Sequence, residues 1–283
     1  MQLPGGLLES GVLRTDFAFK GINGQLELTL AERDRQRSIP EQVTQILIQA
    51  LDHLAGKKPK RERVAGLCVG DRQYLMRQLA VALGYDRQWM NADCHACSER
   101  FDFEIRLSQL PTKAAGEGFP EFKVQTSQGK LCLRLPSGDD QVAIADLADP
   151  AEAQQTLLQR CLISKNGRAV RKRLVFEQDD LEKIDAAMEV VAPEPVTHLA
   201  ANCPACSKPN TIALDPYELL NKRPSDIFSE IHTLAWHYHW SEAEILAMPK
   251  SRRNRYLALI DRSRGFDGGR DATQQTFPVG VRA

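Results

Sequence analysis

Two short segments that resemble each other constrain this fold more than any other feature of the sequence. Residues 91–99 are Asn-Ala-Asp-Cys-His-Ala-Cys-Ser-Glu, and residues 200–208 are Ala-Ala-Asn-Cys-Pro-Ala-Cys-Ser-Lys. In each segment two residues separate the cysteines, a spacing that lets both sulfur atoms face one point. Two such turns supply the four soft ligands of a closed tetrahedral site. The sequence therefore predicts one structural zinc ion per chain, bound by Cys94, Cys97, Cys203 and Cys206.

The residues after each cysteine pair predict that both pairs lie in hairpin turns, as in zinc knuckles. Apolar and polar residues alternate from Phe101 to Leu107, and Thr211–Leu214 is also strand-like. Residues 98–202 separate the two pairs, an insertion of 105 residues. A compact zinc ribbon usually separates its pairs by about 15–20 residues. We therefore expect the insertion to be a folded unit that the metal closes.

Two other interpretations of the cysteine pairs are open on the sequence alone. A Cys-x-x-Cys pair can be a redox dithiol, which would make the protein a thiol oxidoreductase with an accessible cysteine of low pKa. Such dithiols usually begin a helix, whereas strand-like residues follow both pairs here. The pairs can also be two unrelated sets of reduced thiols. His95, inside the first turn, is a further candidate ligand, although four sulfurs already complete a site.

The other three cysteines are predicted to be packed in the apolar core. Cys68, Cys132 and Cys161 all lie among apolar residues, and free cysteine behaves as a small apolar side chain. This leaves the two Cys-x-x-Cys pairs as the only candidates for chemistry among the seven cysteines.

Composition and charge argue against several classes of protein. Lys and Arg together number 37, and so do Asp and Glu, so no net charge attracts nucleic acid. Residues 1–16 lack the basic and apolar regions of a signal peptide. No stretch approaches the roughly 18 apolar residues of a membrane span. We expect a cytoplasmic protein without membrane contact, in which cysteines serve metal or redox chemistry rather than disulfides.

Hydrophobic periodicity predicts an α+β fold with four consecutive segments. These are an N-terminal arm with helices (1–90), a zinc-knuckle-closed, β-rich α/β insert (91–214), a C-terminal helical unit (215–264) and a flexible tail (265–283). The first 40 residues are expected to be extended and only partly ordered. Apolar residues at helical spacing from Val43 to Leu54 predict a helix, with Gly56 as its C-cap.

Acidic and hydroxyl residues mark several predicted helix starts. Asp71 is expected to cap one helix and Asp179 or Asp180 another. Asp149 precedes a proline at the first helical position. The segment Ser-Glu-Ala-Glu that begins at Ser241 has the pattern of a capping box.

No arrangement of residues typical of catalysis stands out. The chain has no phosphate-loop pattern, no nucleophilic serine elbow and no Cys/His pairing. His232, Trp236 and His239 share a face of a predicted helix; we interpret them as aromatic packing, with a second metal site as the alternative. Basic runs such as 168–173 are interpreted as a solvated or protein-docking surface. The sequence predicts a protein that is not an enzyme and has no small-molecule substrate.

An ordered set of motifs resembles that of a known family. The set comprises Leu3-Pro-Gly-Gly6, Val69-Gly-Asp-Arg72, Cys94-His-Ala-Cys97, Arg134-Leu-Pro-Ser-Gly-Asp139, Cys203-Pro-Ala-Cys206, the segment from Ile231 to Leu246, and Arg252-Arg-Asn-Arg-Tyr256. In this order the motifs are similar to those of the baseplate hub assembly family of contractile-tailed phages and phage-derived contractile injection systems. The resemblance runs from the N-terminus to about residue 262, and the family's cysteine pairs map onto the four cysteines named above.

The resemblance implies a structural or assembly role without catalysis. The partners it implies are hub, spike or other baseplate proteins of a contractile tail, and it allows incorporation in a phage-tail-like particle. The alternative from a different class is a zinc-ribbon protein that binds nucleic acid. Salt-dependent binding to nucleic acid would favour that alternative, and the balanced charge argues against it.

Overall fold

The structure, a computed structural model, describes residues 1–170, 172–221 and 227–264. The helices are α1 (Gly24–Ala31), α2 (Ile39–Ala50), α3 (Arg61–Ala65), α4 (Val69–Ala82), α5 (Gly138–Ile144), α6 (Pro150–Cys161), α7 (Gln178–Val191), α8 (Glu218–Asn221), α9 (Ile227–Tyr238), α10 (Glu242–Ala247) and α11 (Lys250–Ser263). The strands are β1 (Gln2–Glu9), β2 (Val12–Phe19), β3 (Leu51–Leu54), β4 (Arg87–Asp93), β5 (Arg100–Arg106), β6 (Thr112–Lys113), β7 (Glu121–Thr126), β8 (Gly129–Arg134), β9 (Leu162–Lys165), β10 (Arg168–Ala169), β11 (Glu194–Pro195), β12 (His198–Asn202) and β13 (Pro209–Ala213). None of these helices has the length and apolar character needed to cross a bilayer. The predicted tail, 265–283, lies outside the described residues.

Helices and small antiparallel sheets share the chain, which confirms the predicted α+β class. The chain forms two compact units, each assembled from three separate stretches. The first contains Met1–Lys20, Asp34–Met76 and Thr112–Pro195; the second contains Gly21–Arg33, Arg77–Pro111 and the chain from Val196 onward. Residues 112–195 of the predicted 91–214 segment are therefore in the first unit, whereas both cysteine pairs are in the second.

The N-terminus folds as a hairpin, so the expectation of a partly ordered arm is wrong. Strand β1 pairs with β2, and β2 pairs with β3 in a three-stranded sheet. Phe17 of β2 lies opposite Leu54 of β3, and both side chains are buried. Local patterning does not show this pairing because β3 lies more than 30 residues further along the chain.

Helix α2 ends earlier than its apolar pattern suggests. The helix ends at Ala50, and the chain continues directly as strand β3. Leu51 and Leu54 are buried, so the apolar spacing persists through residues that belong to the sheet. Gly56 has φ +69°, a left-handed conformation that glycine adopts without strain. It lies in the turn after β3 and is not the predicted helix cap.

The first unit also contains a four-stranded antiparallel sheet that packs against helices α6 and α7. The strand order is β10-β9-β8-β7. Leu131 and Leu133 of β8 pack with Leu158 of α6 and Ile184 of α7 in one buried cluster. The leucines of β8 face the core and its polar residues do not, as alternation along a half-buried strand requires.

Three of the motifs quoted above meet around two neighbouring side chains of α4. The carboxylate of Asp71 accepts hydrogen bonds from the amides of Gly5 (2.9 Å) and Gly6 (2.7 Å). Arg72 is fully buried, and a Cβ atom at Gly138 would lie 2.5 Å from its guanidinium. The glycines of the N-terminal motif and of the 134–139 motif are therefore required for close packing against the Asp-Arg pair.

Two of the predicted helix caps are wrong for one shared reason. Helix α4 begins at Val69, so Asp71 lies in its first turn. Helix α7 begins after Glu177, and Asp180 accepts hydrogen bonds from the amide (2.8 Å) and hydroxyl (2.6 Å) of Ser127. Each carboxylate binds a segment that is distant in sequence, strand β1 for Asp71 and the turn between β7 and β8 for Asp180. Burial makes such bonds worth more than a local cap.

Two other caps are confirmed. The carboxylate of Asp149 accepts a hydrogen bond from the Ala151 amide, and Pro150 is the first residue of α6. Ser241 and Glu244 form both bonds of a capping box at the start of α10. These contacts lie within one turn of helix, so the sequence alone specifies them.

The second unit contains the two cysteine hairpins together with α1, α4 from Arg77, and α8–α11. Buried apolar residues of α1, α9 and α10 form one cluster: Leu28, Ile227 and Leu246. Arg253 of α11 is fully buried; its guanidinium donates to Glu230 of α9 at 2.9 Å and also pairs with Glu27 of α1. Arg253 belongs to the last motif of the resemblance, and it ties three helices together.

Candidate metal centre

Two antiparallel hairpins present the cysteine pairs in their turns. Strand β4 pairs with β5, and Asp93 lies opposite Arg100 at the end of the ladder. Strand β12 pairs with β13, and Asn202 lies opposite Pro209. The residues enclosed are 94–99 in one turn and 203–208 in the other. The two turns therefore have the same length, as the duplicated segments predict.

The turns also share two backbone–backbone hydrogen bonds. In both, the amide of the first cysteine donates to the carbonyl of the last turn residue at 2.9 Å. In both turns, the amide of the serine that follows the second cysteine donates to the carbonyl of the first cysteine at 2.8 Å. These serines, Ser98 and Ser207, have φ values of 60° and 59°. The duplication of sequence is thus a duplication of backbone conformation.

The four sulfur atoms converge on one point. All four Sγ atoms lie within 4.8 Å of one another. The distance from Cys94 to Cys206 is 3.6 Å, and that from Cys97 to Cys203 is 3.7 Å. Cys94 and Cys203 are buried, Cys206 is half-buried and Cys97 is exposed. The fold therefore brings together all four residues of the predicted ligand set.

These separations suit a tetrahedral metal ion bound by sulfur. Zn–S bonds of about 2.3 Å at tetrahedral angles place neighbouring sulfurs about 3.8 Å apart, close to the two distances above. A disulfide would need an S–S distance of about 2.05 Å, and all seven cysteines are free. The cluster can hold a metal ion with the donor set of structural zinc sites, and four protein ligands leave no position for water or substrate.

Hydrogen bonds within the first turn favour a thiolate at Cys94. The Ala96 amide, 3.4 Å from the Cys94 Sγ, lowers the pKa of Cys94 to about 6, helped by the Cys97 amide. The pKa of Cys97, by contrast, is raised to about 12. The hydrogen bond from the Glu99 amide lowers this pKa, but hydrogen bonding with the sulfurs of Cys206, Cys94 and Cys203 raises it more. Thiolates this close repel one another, so a cation between them favours the ionised form of all four.

The stretch that contains both turns matches a known family. A family model described as T4 bacteriophage base plate protein matches residues 22–218, which is more than half of the 283 residues. The chain belongs to this family. No curated protein and no solved structure matches the chain.

The match to the T4 base plate protein family can be compared with the positions of the motifs that suggested a baseplate protein. Four of them lie inside the matched region, including both cysteine pairs. The baseplate part of the resemblance is therefore confirmed. The motifs from Ile231 onward lie beyond the matched region, as does the N-terminal Leu3-Pro-Gly-Gly6 motif.

One residue of this base plate family member was missed by sequence reasoning. Asn210 of β13 is buried, and its Nδ2 lies 3.7 Å from the Cys94 Sγ. Its Oδ1 lies 2.8 Å from Nδ1 of His95. His95, considered above as a ligand, is therefore engaged by Asn210. The signal in the sequence is that residue 210 differs in type from its counterpart in the first repeat, Phe101.

The remaining cysteines are not all packed as expected. Cys68 and Cys161 are buried in the core of the first unit. Cys132 is only half-buried, with its Sγ 3.8 Å from the Glu121 carboxylate, because its side chain lies on the opposite face of β8 from Leu131 and Leu133. The prediction of a core thiol is wrong for Cys132.

The second candidate metal site does not form in the described part of the chain. There, the four cysteines are the one group of three or more His, Cys, Asp or Glu residues placed to hold an ion. His232 stacks on Trp236 with ring centroids 6.3 Å apart, but Trp236 remains 71% exposed. The aromatic packing between the C-terminal helices comes instead from Tyr238, Trp240 and Tyr256.

Proposed function

We propose that this protein is a structural component or assembly factor for the baseplate hub of a contractile phage tail or phage-derived injection system, stapled by one structural zinc ion. The observation that carries the proposal is the family match over residues 22–218, which includes both halves of the four-cysteine cluster. The hub assignment rests on the order of the motifs. The choice of zinc rests on the four-sulfur donor set and the sulfur separations.

A zinc ion would stabilise a part of the protein whose apolar core is small. Beneath the turns, the buried apolar residues of the two hairpins are Phe101, Phe103, Ile105, Leu199 and Ala201, with Cys94, Cys203 and the nearby Leu110. Structural zinc binding contributes about 10–16 kcal/mol in small peptides, against a typical net domain stability of about 5–15 kcal/mol. The ion would therefore be the main link between the two hairpins.

The buried acids support a role through protein–protein contacts rather than catalysis. The carboxylate of Asp71 holds strand β1, that of Asp180 holds Ser127, and that of Asp140 accepts from Arg134 and Ser137. Each of these groups is committed to structure, and a four-sulfur metal site has no open position. We infer that the protein acts on hub, spike or other baseplate proteins by binding them.

Genetic and binding experiments in the particle's own system test the proposal. Deleting the gene should leave tail tube and sheath subunits expressed but particles unassembled. The tagged full chain, co-expressed with the hub, spike and baseplate proteins of the same tail, should retain at least one of them. Normal functional particles from the deletion strain would contradict the assembly role.

The zinc part of the proposal has its own matched pair of variants. Cys203→Ser should fail to restore assembly in the deletion strain, because it removes a ligand. Cys132→Ser changes a cysteine outside the cluster and should restore assembly fully. Full complementation by Cys203→Ser would show that the metal is dispensable for this role. Salt-sensitive binding of the wild type to nucleic acid would instead favour the zinc-ribbon class.

A further inference from the structure

The two knuckles are equivalent in backbone but differ at two linked positions. The residue after the first cysteine is His95 in one turn and Pro204 in the other. The residue seven places after that cysteine is Phe101 in one hairpin and Asn210 in the other. The backbone amide of His95 donates to the Asn210 Oδ1 at 3.0 Å. Proline has no amide hydrogen, so the second turn has no equivalent donor, and the first hairpin has an apolar residue where the acceptor would be.

The Asn210 side chain uses both ends of its amide. Oδ1 accepts the His95 amide and lies 2.8 Å from His95 Nδ1, while Nδ2 donates to the Lys208 carbonyl at 3.0 Å and to the Cys94 Sγ at 3.7 Å. The partners determine the orientation of the amide, since a backbone N–H can only donate and a carbonyl can only accept. Asn210 is 5% exposed, so water does not replace these bonds readily.

These bonds connect one knuckle to the other. Asn210 is anchored in the second hairpin, where it lies opposite Ala201 in the β12–β13 ladder. Its Lys208 partner is the last residue of the second turn, whereas His95 and Cys94 are in the first. A single side chain therefore joins the two turns directly beside a candidate ligand, independently of the ion.

We propose that Asn210 is a positioning residue of the metal centre, which holds the first knuckle against the second and donates to the Cys94 sulfur. The proposal rests on the structural zinc of the proposed function. Residues that hydrogen-bond metal ligands typically change metal affinity by about 10–100-fold when they are replaced. Asn210 has two routes to such an effect: alignment of the two turns and the hydrogen bond to the Cys94 sulfur.

The test compares two asparagines of the same hairpin in the full-length, zinc-loaded protein. Asn210→Ala removes all of the bonds described above. Asn202→Ala is the matched control, since Asn202 is exposed and lies beside Cys203 on the adjacent strand. Zinc affinity is measured by competition with a chromogenic chelator, and the rate of zinc transfer to the chelator is followed in the same assay. Asn210→Ala should lose about 10–100-fold in affinity and release zinc faster, whereas Asn202→Ala should match the wild type.

A second variant keeps the test decisive if Asn210→Ala folds poorly. His95→Pro copies the residue that the second knuckle already has at this position, removes the donor amide and leaves Asn210 in place. His95→Pro should weaken zinc binding as well. The double variant should bind zinc little more weakly than either single variant, because both changes remove the same contact between His95 and Asn210. Cobalt-substituted protein adds a readout of geometry: both variants should alter the sulfur-to-cobalt absorption bands.

The outcomes distinguish this proposal from the proposed function. Wild-type affinity, release rate and cobalt spectrum in both Asn210→Ala and His95→Pro would overturn the role of Asn210 and leave the zinc staple intact. Wild-type protein that binds neither zinc nor cobalt would overturn the staple itself. Weaker zinc binding by Asn210→Ala, together with wild-type binding by Asn202→Ala, would support both the zinc staple and the role of Asn210.

Discussion

The Sγ atoms of Cys94 and Cys206 lie 3.6 Å apart, although 112 positions separate the two residues in the chain. The second close contact, between Cys97 and Cys203, has the same crossed form. In each contact the first cysteine of one pair meets the second cysteine of the other. The arrangement therefore suits one ion shared by both hairpins rather than one ion for each pair.

Purified protein should contain close to one zinc ion per chain. The four-sulfur donor set and the sulfur separations match a closed zinc site, and a second group of this kind does not occur among the described residues. Elemental analysis of protein purified without chelators measures the content directly. Protein that is folded and free of zinc, iron and other thiophilic metals would contradict a metal centre.

Removing a ligand from either hairpin should have the same consequence. Cys94→Ser and Cys203→Ser should each lose the whole ion, because both pairs serve one site. The double variant should be little less stable than either single variant, since coupled positions are not additive. Zinc content and urea unfolding of the three proteins check this, with Cys132→Ser as a control that keeps its zinc. If each single variant lost half of the metal and the effects summed, the chain would hold two separate sites.

The buried carboxylate of Asp140 should make the stability of the protein depend on pH. Burial alone would raise the pKa of Asp140, but hydrogen bonds from Arg134 and Ser137 outweigh it and hold the pKa well below its usual range. A carboxyl whose pKa is lowered by folding contributes stability above its unfolded pKa of about 3.9, and the contribution is lost progressively as the pH falls from that value through the lower pKa of the folded state. Asp140→Asn should therefore cost about 2–3 kcal/mol near neutral pH, and much less than that at strongly acid pH.

Urea unfolding at neutral pH and at about pH 1 measures this difference. Asp139→Asn is the matched control, because Asp139 is the half-buried neighbour and its contact with Arg61 is an ion pair at 3.5 Å with both side chains partly in solvent. It should change stability by less than about 1 kcal/mol. If Asp140→Asn lowered the free energy of unfolding equally at both pH values, the result would contradict an ionised Asp140 in the folded protein.

Arg253 should be intolerant of lysine. Its guanidinium contacts Glu27, Glu230 and the Met248 carbonyl while fully buried. A lysine ammonium cannot reproduce this planar set of donors, and breaking a buried ion pair is strongly destabilising. Arg253→Lys should cost about 2–4 kcal/mol, as measured by urea unfolding. The same exchange at the exposed Arg255 should stay within about 0.5 kcal/mol; equal effects at the two positions would show that the buried contacts contribute nothing.

Local patterns predicted the elements whose interactions are themselves local. The alternation around Phe103 identified β5, and the capping box at Ser241 located the start of α10. The same reasoning failed where a residue's partner is distant. Asp71 was expected to cap a helix, but the amides of Gly5 and Gly6 compete for its carboxylate, and a buried charge-assisted bond outweighs a cap at the surface.

The sequence alone identifies the four cysteine ligands, because the residues of a Cys-x-x-Cys turn are sufficient to place its two sulfurs facing one point. Which turns share an ion is a question of tertiary structure: strands β4–β5 and β12–β13 must pack on one apolar cluster before the pairs can meet. The role of Asn210 was decided at the same level, since one side chain reaches the other hairpin only after both have packed. Spacing along the chain specifies the donors, and the burial of the two hairpins against each other specifies where those donors converge.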